Sequence, residues 1–150
     1  MTPAVEAARA AGIDFTIHEY EGVDPAEADY ALAVAAALGI EPARLFKTLL
    51  ASVDGKLQVF VVPADRQLDL RSVGKRAQMA DRGQAERATG YVAGGISPLG
   101  QRRRLPTLLD SSALEHETIH VSGGRRGLEI ELAPRDLVAL TDAEVRALAR

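Results

Sequence analysis

Residues 44–62, RLFKTLLASVDGKLQVFVV, hold two apolar runs separated by Asp54-Gly55. An Asp-Gly pair between two such runs is a strong hairpin signal, because both central positions of the tight turn need positive φ. The stretch therefore predicts two paired antiparallel strands near the centre of the chain. A second pair of runs, ETIHVS (117–122) and GLEIEL (127–132), flanks Gly123-Gly124 and predicts a second hairpin.

Outward from these hairpins, IDFTIHEY (13–20) alternates as a strand, with Ile13, Phe15 and Ile17 on one face and Thr16, His18 and Tyr20 on the other. Residues 107–109 form a further short strand. Thr2 and Pro3 open a helix over residues 3–11, closed by Gly12. Asp24-Pro25 repeats that signal for a helix to Leu38 before Gly39. Asp69 caps a helix to about Gln78, and Asp81 caps another ending at Gly90. Pro134 opens a helical turn, and Thr141 with Glu144 reads as a capping box starting a last helix. Tight hairpins with interspersed helices give a mixed α/β domain around an antiparallel central sheet or barrel.

The 150 residues suit one domain, 1–150, with a core of its own. No apolar run reaches membrane-spanning length and no N-terminal signal pattern is present, so the expected location is the cytoplasm. The absence of cysteine excludes a disulfide scaffold, a protein thiol nucleophile and cysteine-ligated zinc. A net charge of −3 argues against a general nucleic-acid coat. The positive charge is nevertheless clustered: Arg102, Arg103 and Arg104; Arg125 and Arg126; Arg71, Lys75 and Arg76. Such runs are commonly solvated faces, yet three of them leave room for one anion-binding surface.

Lys47 stands inside the apolar run LFKTLL, in a chain whose 18 basic residues are nearly all arginine. On a strand it shares a face with Leu45 and Leu49. It is either an edge lysine reaching for water or a cation aimed at a phosphate or a developing oxyanion. YVAGGISPLG (91–100) begins like a strand and can bring backbone N–H groups close to a ligand. It lacks the Gly-Lys-Ser/Thr ending of a phosphate-binding loop and the G-x-G-x-x-G of a dinucleotide site; as a bare glycine loop it reads first as a structural turn. VSGGRRG (121–127) has the same character, with Ser122 beside its glycines. His18, His116 and His120 have no metal-ligand spacing, and no serine triad is present. The residues offer a cationic, glycine-lined pocket without a protein nucleophile, metal or cofactor.

TPAVEAARAAGIDFTIHEYE, RLFKTLLASVDGKL, RATGYVAGGISPLGQRRRLPTLLD and TIHVSGGRRGLEIEL together closely resemble the YbaK-type family of free-standing aminoacyl-tRNA deacylases, which clear Cys-tRNA(Pro). The resemblance runs from residue 2 to about residue 140. It implies the fold of the editing domain inserted in bacterial prolyl-tRNA synthetases, a mixed, barrel-like sheet surrounded by helices. It also implies hydrolytic removal of cysteine from proline tRNA, with the substrate thiol as attacking group. The family lysine falls on Lys47, and family pocket positions fall on Tyr20, Thr48, Gly94, Ser122 and Gly124. The G-x-x-x-P loop falls on Gly94 to Pro98, and so includes Gly95 and Ser97. Glu129 replaces the family aspartate, which lengthens that arm. Thr48 would point away from Lys47 on an ideal strand and so contribute through its backbone. Arg102, Arg103, Arg125 and Arg126 would receive tRNA phosphates, and prolyl-tRNA synthetase is the implied transient partner. The alternatives are a sibling specificity, for Ala-tRNA(Pro) or Ser-tRNA, and a non-catalytic tRNA- or synthetase-binding module.

Overall fold

The computed structural model describes residues 1–150. In chain order its elements are α1 (Pro3–Ala11), β1 (Phe15–Glu19), α2 (Tyr30–Leu38), β2 (Phe46–Val53), β3 (Lys56–Pro63), α3 (Leu70–Val73), β4 (Gln78–Met79), α4 (Arg82–Thr89), β5 (Thr107–Asp110), β6 (Ile119–Ser122), β7 (Leu128–Leu132), α5 (Pro134–Thr141) and β8 (Glu144–Arg146). Single 3-10 turns precede β2 and follow β5. The fold is mixed α/β, as expected.

Both hairpins are present. Asp54 (φ 51°) and Gly55 (φ 82°) take the left-handed conformations that the tight turn requires, and β2 pairs with β3 from Phe46–Pro63 to Val53–Lys56. β6 pairs with β7 antiparallel, and β1 adds to the other edge of β7. The result is a three-stranded sheet, β1-β7-β6, beside a five-stranded sheet, β4-β2-β3-β5-β8. A parallel bridge between Leu45 and His120 joins them, so hydrogen bonding defines two linked sheets rather than a closed ring. The antiparallel expectation is corrected on one side: β3–β5 and β5–β8 run parallel. β3 is accordingly buried on both faces, which is why VFVV reads as a continuous apolar run.

Phe46, Leu50, Val59 and Val61 meet Val121, Ile130 and Leu132 of the smaller sheet in the main core, closed at one end by Ala4, Val5 and Ala8 of α1. Phe60 and Val62 face the other way, onto Leu68, Leu108 and Leu148. In β1 only Phe15 packs against the core, while Ile17 stays exposed.

Four local expectations are corrected. Asp24 does cap a turn, accepting from the Ala26 N–H, but Asp29 sits at φ 56°, so α2 begins at Tyr30 and not at Pro25. α3 is one turn long, because Gly74 and the left-handed Arg76 (φ 52°) break it and residues 78–79 pair with the edge of β2. YVAGGISPLG contains no strand. The last helix is absent: Thr141 ends α5, with its hydroxyl donating to the Leu137 carbonyl, Asp142 turns left-handed, and Glu144–Arg146 joins β5. The capping-box pattern is overridden by tertiary pairing and by burial of Leu148.

Candidate functional site

The loop after α4 is built before it can bind anything. Glu86 Oε2 accepts the Ala93 N–H at 2.7 Å, and Arg126 Nε donates to the Ala93 carbonyl at 2.9 Å, so two side chains hold the two peptide groups that flank Ala93. The Ala93 N–H, followed by the Arg82 guanidinium, holds the Glu86 carboxyl below its ordinary range. The Tyr91 hydroxyl donates to the Leu99 carbonyl at 2.6 Å and closes the loop's two ends. The buried Ser97 Oγ accepts the Leu99 N–H. Gly94, at φ 87°, lies at the exposed crest, and its N–H donates to no protein group.

That crest forms one wall of a cavity of about 480 Å³. β2 supplies Lys47 and Thr48, β6 supplies Ser122, β7 supplies Glu129, and α2 covers the far side with Tyr30, Ala31 and Val34. The strand register explains the convergence. Ser122 stands opposite Glu129, and the parallel Leu45–His120 bridge brings Lys47, two residues past Leu45, level with Ser122, two residues past His120. Lys47 makes no ion pair. Burial lowers its pKa, opposed by the charges of Asp29 and Asp65. Glu129 is nearly fully buried, its Oε1 has no partner, and burial pushes its carboxyl up to about 8. At neutral pH this carboxyl is mostly protonated, and Lys47 is the cavity's basic residue. Such a cavity can hold a compact polar group and polarise it from one side with an ammonium and a free peptide N–H.

Five of the sequence-derived candidates thus line one cavity: Lys47, Thr48, Gly94, Ser122 and Glu129. Thr48 Oγ1 is buried without a hydrogen-bond partner. Tyr20 lies behind the lining, its hydroxyl 2.8 Å from that of Tyr30; burial and this contact push its phenol up. Gly95 packs against the backbone of Arg125 and Arg126, where a Cβ would approach to 2.7 Å. Gly124, at φ 100°, packs on Thr2 and Tyr91. Ser97 is wholly buried. Pro98 lines a separate hollow with Gln101, Arg103 and Arg104. Arg102 and Arg103 are exposed and without ion pairs, whereas Arg126 is committed to Ala93 and Arg125 Nη1 donates to the Arg126 carbonyl.

Sequence spacing missed two features. Asp29 and Tyr30 enter the lining because α2 starts late. His18, His120 and Glu131 meet on the same sheet face as Ser122 and Glu129, although they are far apart in the chain. Burial lowers the His120 pKa to about 4, opposed by Glu131, and the hydroxyl of Thr118 and the ring of His18 hold Glu131 down at about 2.

The family model described as an aminoacyl-tRNA editing domain matches residues 25–140. A protein of Enterococcus faecalis named as a Cys-tRNA(Pro)/Cys-tRNA(Cys) deacylase, EbsC, is 40% identical over 118 residues, covering 74% of this chain and 71% of its own. A crystal structure described as a trans-editing enzyme for prolyl tRNA synthetase superposes with a TM-score of 0.85 at 26% identity, covering 99% of this chain and 95% of the other. The crystal structure of the protein APE2540, at 24% identity, shares the fold with a TM-score of 0.86 over 99% of both chains.

Proposed function

From the premise that this chain belongs to the aminoacyl-tRNA editing domain family, a deacylase acting on aminoacyl-tRNA, we propose that it clears Cys-tRNA(Pro) in trans. The observation that carries this reading is the cavity that unites Lys47, the unpaired Gly94 N–H and Ser122. Its size suits a small aminoacyl group on a terminal ribose. The name of the Enterococcus relative supports the substrate, and the trans-editing description of the structural neighbour supports action on a finished aminoacyl-tRNA.

Ester cleavage asks little of the protein beyond orientation and polarisation of the carbonyl. In our reading the Gly94 N–H and the Lys47 ammonium face the carbonyl oxygen as it gains charge. The substrate's own thiolate attacks the carbonyl carbon, forming a cyclic thioester. The bond to the ribose oxygen breaks, and that oxygen leaves with the proton that the thiol gave up on ionising. A thiol ionises appreciably near neutral pH and a hydroxyl does not, so chemistry separates cysteine from serine where a pocket alone would discriminate weakly. Burial raises the Glu129 carboxyl and so favours its neutral form in the cavity, which lessens repulsion of a thiolate held there.

We read the two linked sheets as one barrel-like wall, since their inner faces share a core. Arg102 and Arg103 take acceptor-stem phosphates, with prolyl-tRNA synthetase as transient donor of the substrate in the cytoplasm. No helix is long and apolar enough to cross a membrane. The test is single-turnover deacylation of proline tRNA charged with cysteine, serine, alanine or proline. Rapid loss of cysteine alone is expected. Equal cleavage of cysteine and serine, or preferential cleavage of alanine, overturns the assignment.

A further inference from the structure

Outside the cavity, β1, β6 and β7 bring two imidazoles and a carboxylate together. His120 stands directly opposite Glu131, and His18 lies diagonally across from it, opposite Glu129. The two rings are 5.1 Å apart between centroids. Taking one donor atom from each of His18, His120 and Glu131, all three donors lie within 4.8 Å of one another. His18 Nε2 and Glu131 Oε1 are 2.8 Å apart. Donors bound to one tetrahedral zinc ion stand roughly 3.3 Å apart, from metal–ligand distances of about 2.0–2.2 Å. The cluster is therefore within small side-chain movements of ligand spacing.

Two further observations separate this group from an ordinary surface pairing. The other oxygen of the carboxylate, Oε2, is already held: the Thr118 hydroxyl donates to it, and Arg44 Nη2 lies 3.4 Å away while also donating to the Thr118 carbonyl and hydroxyl. This leaves Oε1 turned to His18, the arrangement by which outer groups orient a ligating carboxylate. His120 is almost completely buried, and its Nδ1 has no hydrogen-bond partner. An imidazole buried at that cost without a partner calls for one.

We propose that His18, His120 and Glu131 form a binding site for a divalent transition-metal ion of the zinc type. Two imidazole nitrogens with one carboxylate favour zinc over magnesium or calcium, which take oxygen donors. Three protein ligands leave a fourth position open, on the side where His18 is only half-buried. Arg44 is a nearby cation that opposes the ion, and its hydrogen bonds to Thr118 keep it on the far oxygen of Glu131. Bound metal would staple β1 to β6 and β7, the strands that carry Ser122 and Glu129 into the cavity. The inference stands independently of the deacylase reading, because its readout is metal binding.

The experiment uses the full chain stripped of metal by chelation. Cobalt(II) serves as the visible probe, and zinc is titrated calorimetrically and in competition with it. One equivalent of cobalt should give the absorption of a low-coordinate, nitrogen-ligated ion, zinc should displace it, and zinc should raise the thermal midpoint. His18→Ala, His120→Ala and Glu131→Gln should each abolish the one-to-one site, Thr118→Val should weaken it about tenfold, and His116→Ala should leave it unchanged. Because His120 is buried, His18→Ala is the deciding variant should His120→Ala fail to fold. Absence of a one-to-one cobalt or zinc site in the wild-type protein overturns the proposal. So does retention of that site in folded His18→Ala, or its equal loss in His116→Ala.

Discussion

Asp110 and Glu129 are both buried carboxyls on central strands, and they have opposite surroundings. Asp110, at the end of β5, accepts from the Leu148 N–H (2.8 Å) and the Ala149 N–H (3.0 Å) through one oxygen and from the Ser112 hydroxyl (2.6 Å) and N–H through the other. Burial raises its pKa, but these bonds together outweigh burial and hold it below the ordinary range. Glu129 has an unpartnered oxygen and is pushed up to about 8 by burial. The first carboxyl spends its hydrogen-bonding capacity on fixing the chain's end to the sheet. The second keeps its capacity open toward a cavity. On the reading proposed above, stability and binding occupy opposite ends of the sheet system, which can be tested by asking which substitutions move folding and which move turnover.

The largest effect expected is at Lys47. Lys47→Ala should lower deacylation by about a hundredfold to a thousandfold, the cost of losing one preorganised electrostatic contact to a developing oxyanion. Because Lys47 makes no ion pair, the thermal midpoint should hold or rise slightly. Single-turnover kinetics alongside thermal denaturation measure both. A variant that loses stability in step with activity would break the division.

Asp110→Ala should do the reverse. It leaves the Leu148 and Ala149 N–H groups without their acceptor, and should cost about 3 kcal/mol of stability, with turnover per folded molecule unchanged. Urea unfolding gives the first quantity and active-site-normalised kinetics the second.

The same contrast explains what could be read from the chain. Asp54-Gly55 fixed its hairpin because the information is local: two residues that tolerate positive φ between two apolar runs. Lys47 was legible as an anomaly of charge within LFKTLL. Residues 74–79 and 141–146 were not, because what decides them lies elsewhere: the free edge of β2, the edge of β5, and the Asp110 carboxylate waiting for two N–H groups. Helix-start chemistry at Asp24 was real but produced only a turn, since nothing local announced a left-handed Asp29. Within the glycine motifs, composition marked the right segments and could not separate Gly94, which faces the cavity, from Gly95 and Gly124, which make room for neighbouring chain. The meeting of His18 with Glu131 spans 113 positions and depends wholly on strand register.

A smaller effect should appear in the dependence of stability on pH. A carboxyl whose folded pKa is raised binds more protons in the folded than in the unfolded state between the two values, so Glu129 should make stability fall as pH rises from about 4.5 through about 8. Glu129→Gln, which imitates the protonated acid, should flatten this decline while leaving stability near pH 5 almost unchanged. Asp110 has the opposite sign: its contribution is present above the unfolded value of 3.8 and is lost as pH falls through its lowered folded pKa. Asp110→Asn should therefore flatten only the acid limb. Thermal midpoints from pH 3 to 9 for the three proteins test both signs, and a decline above pH 5 that persists in Glu129→Gln would remove Glu129 from the account.

The smallest effect concerns the arginines, and it asks whether the division between structural and binding groups extends to the surface. Arg102 and Arg103 are anchored through their backbone, with N–H groups donating to the Thr89 and Ala88 carbonyls, while their side chains remain exposed. Arg126 differs: its Nε holds the Ala93 carbonyl, and its aliphatic stem lies against Gly94. Each phosphate contact releases counterions, so the logarithm of tRNA affinity should fall with the logarithm of salt by about 0.7–0.9 per contact. Arg102→Glu and Arg103→Glu should each lower that slope by about 1 and leave the thermal midpoint in place. Arg126→Glu should instead reduce turnover at every salt concentration, because it frees the Ala93 peptide and with it the position of the Gly94 N–H. The measurement is tRNA binding across a salt series, paired with single-turnover deacylation at saturating protein. A slope that changes only with Arg125 and Arg126 would move the phosphate contact onto the β6–β7 hairpin, and the groups that shape the cavity would then also be those that hold the nucleic acid.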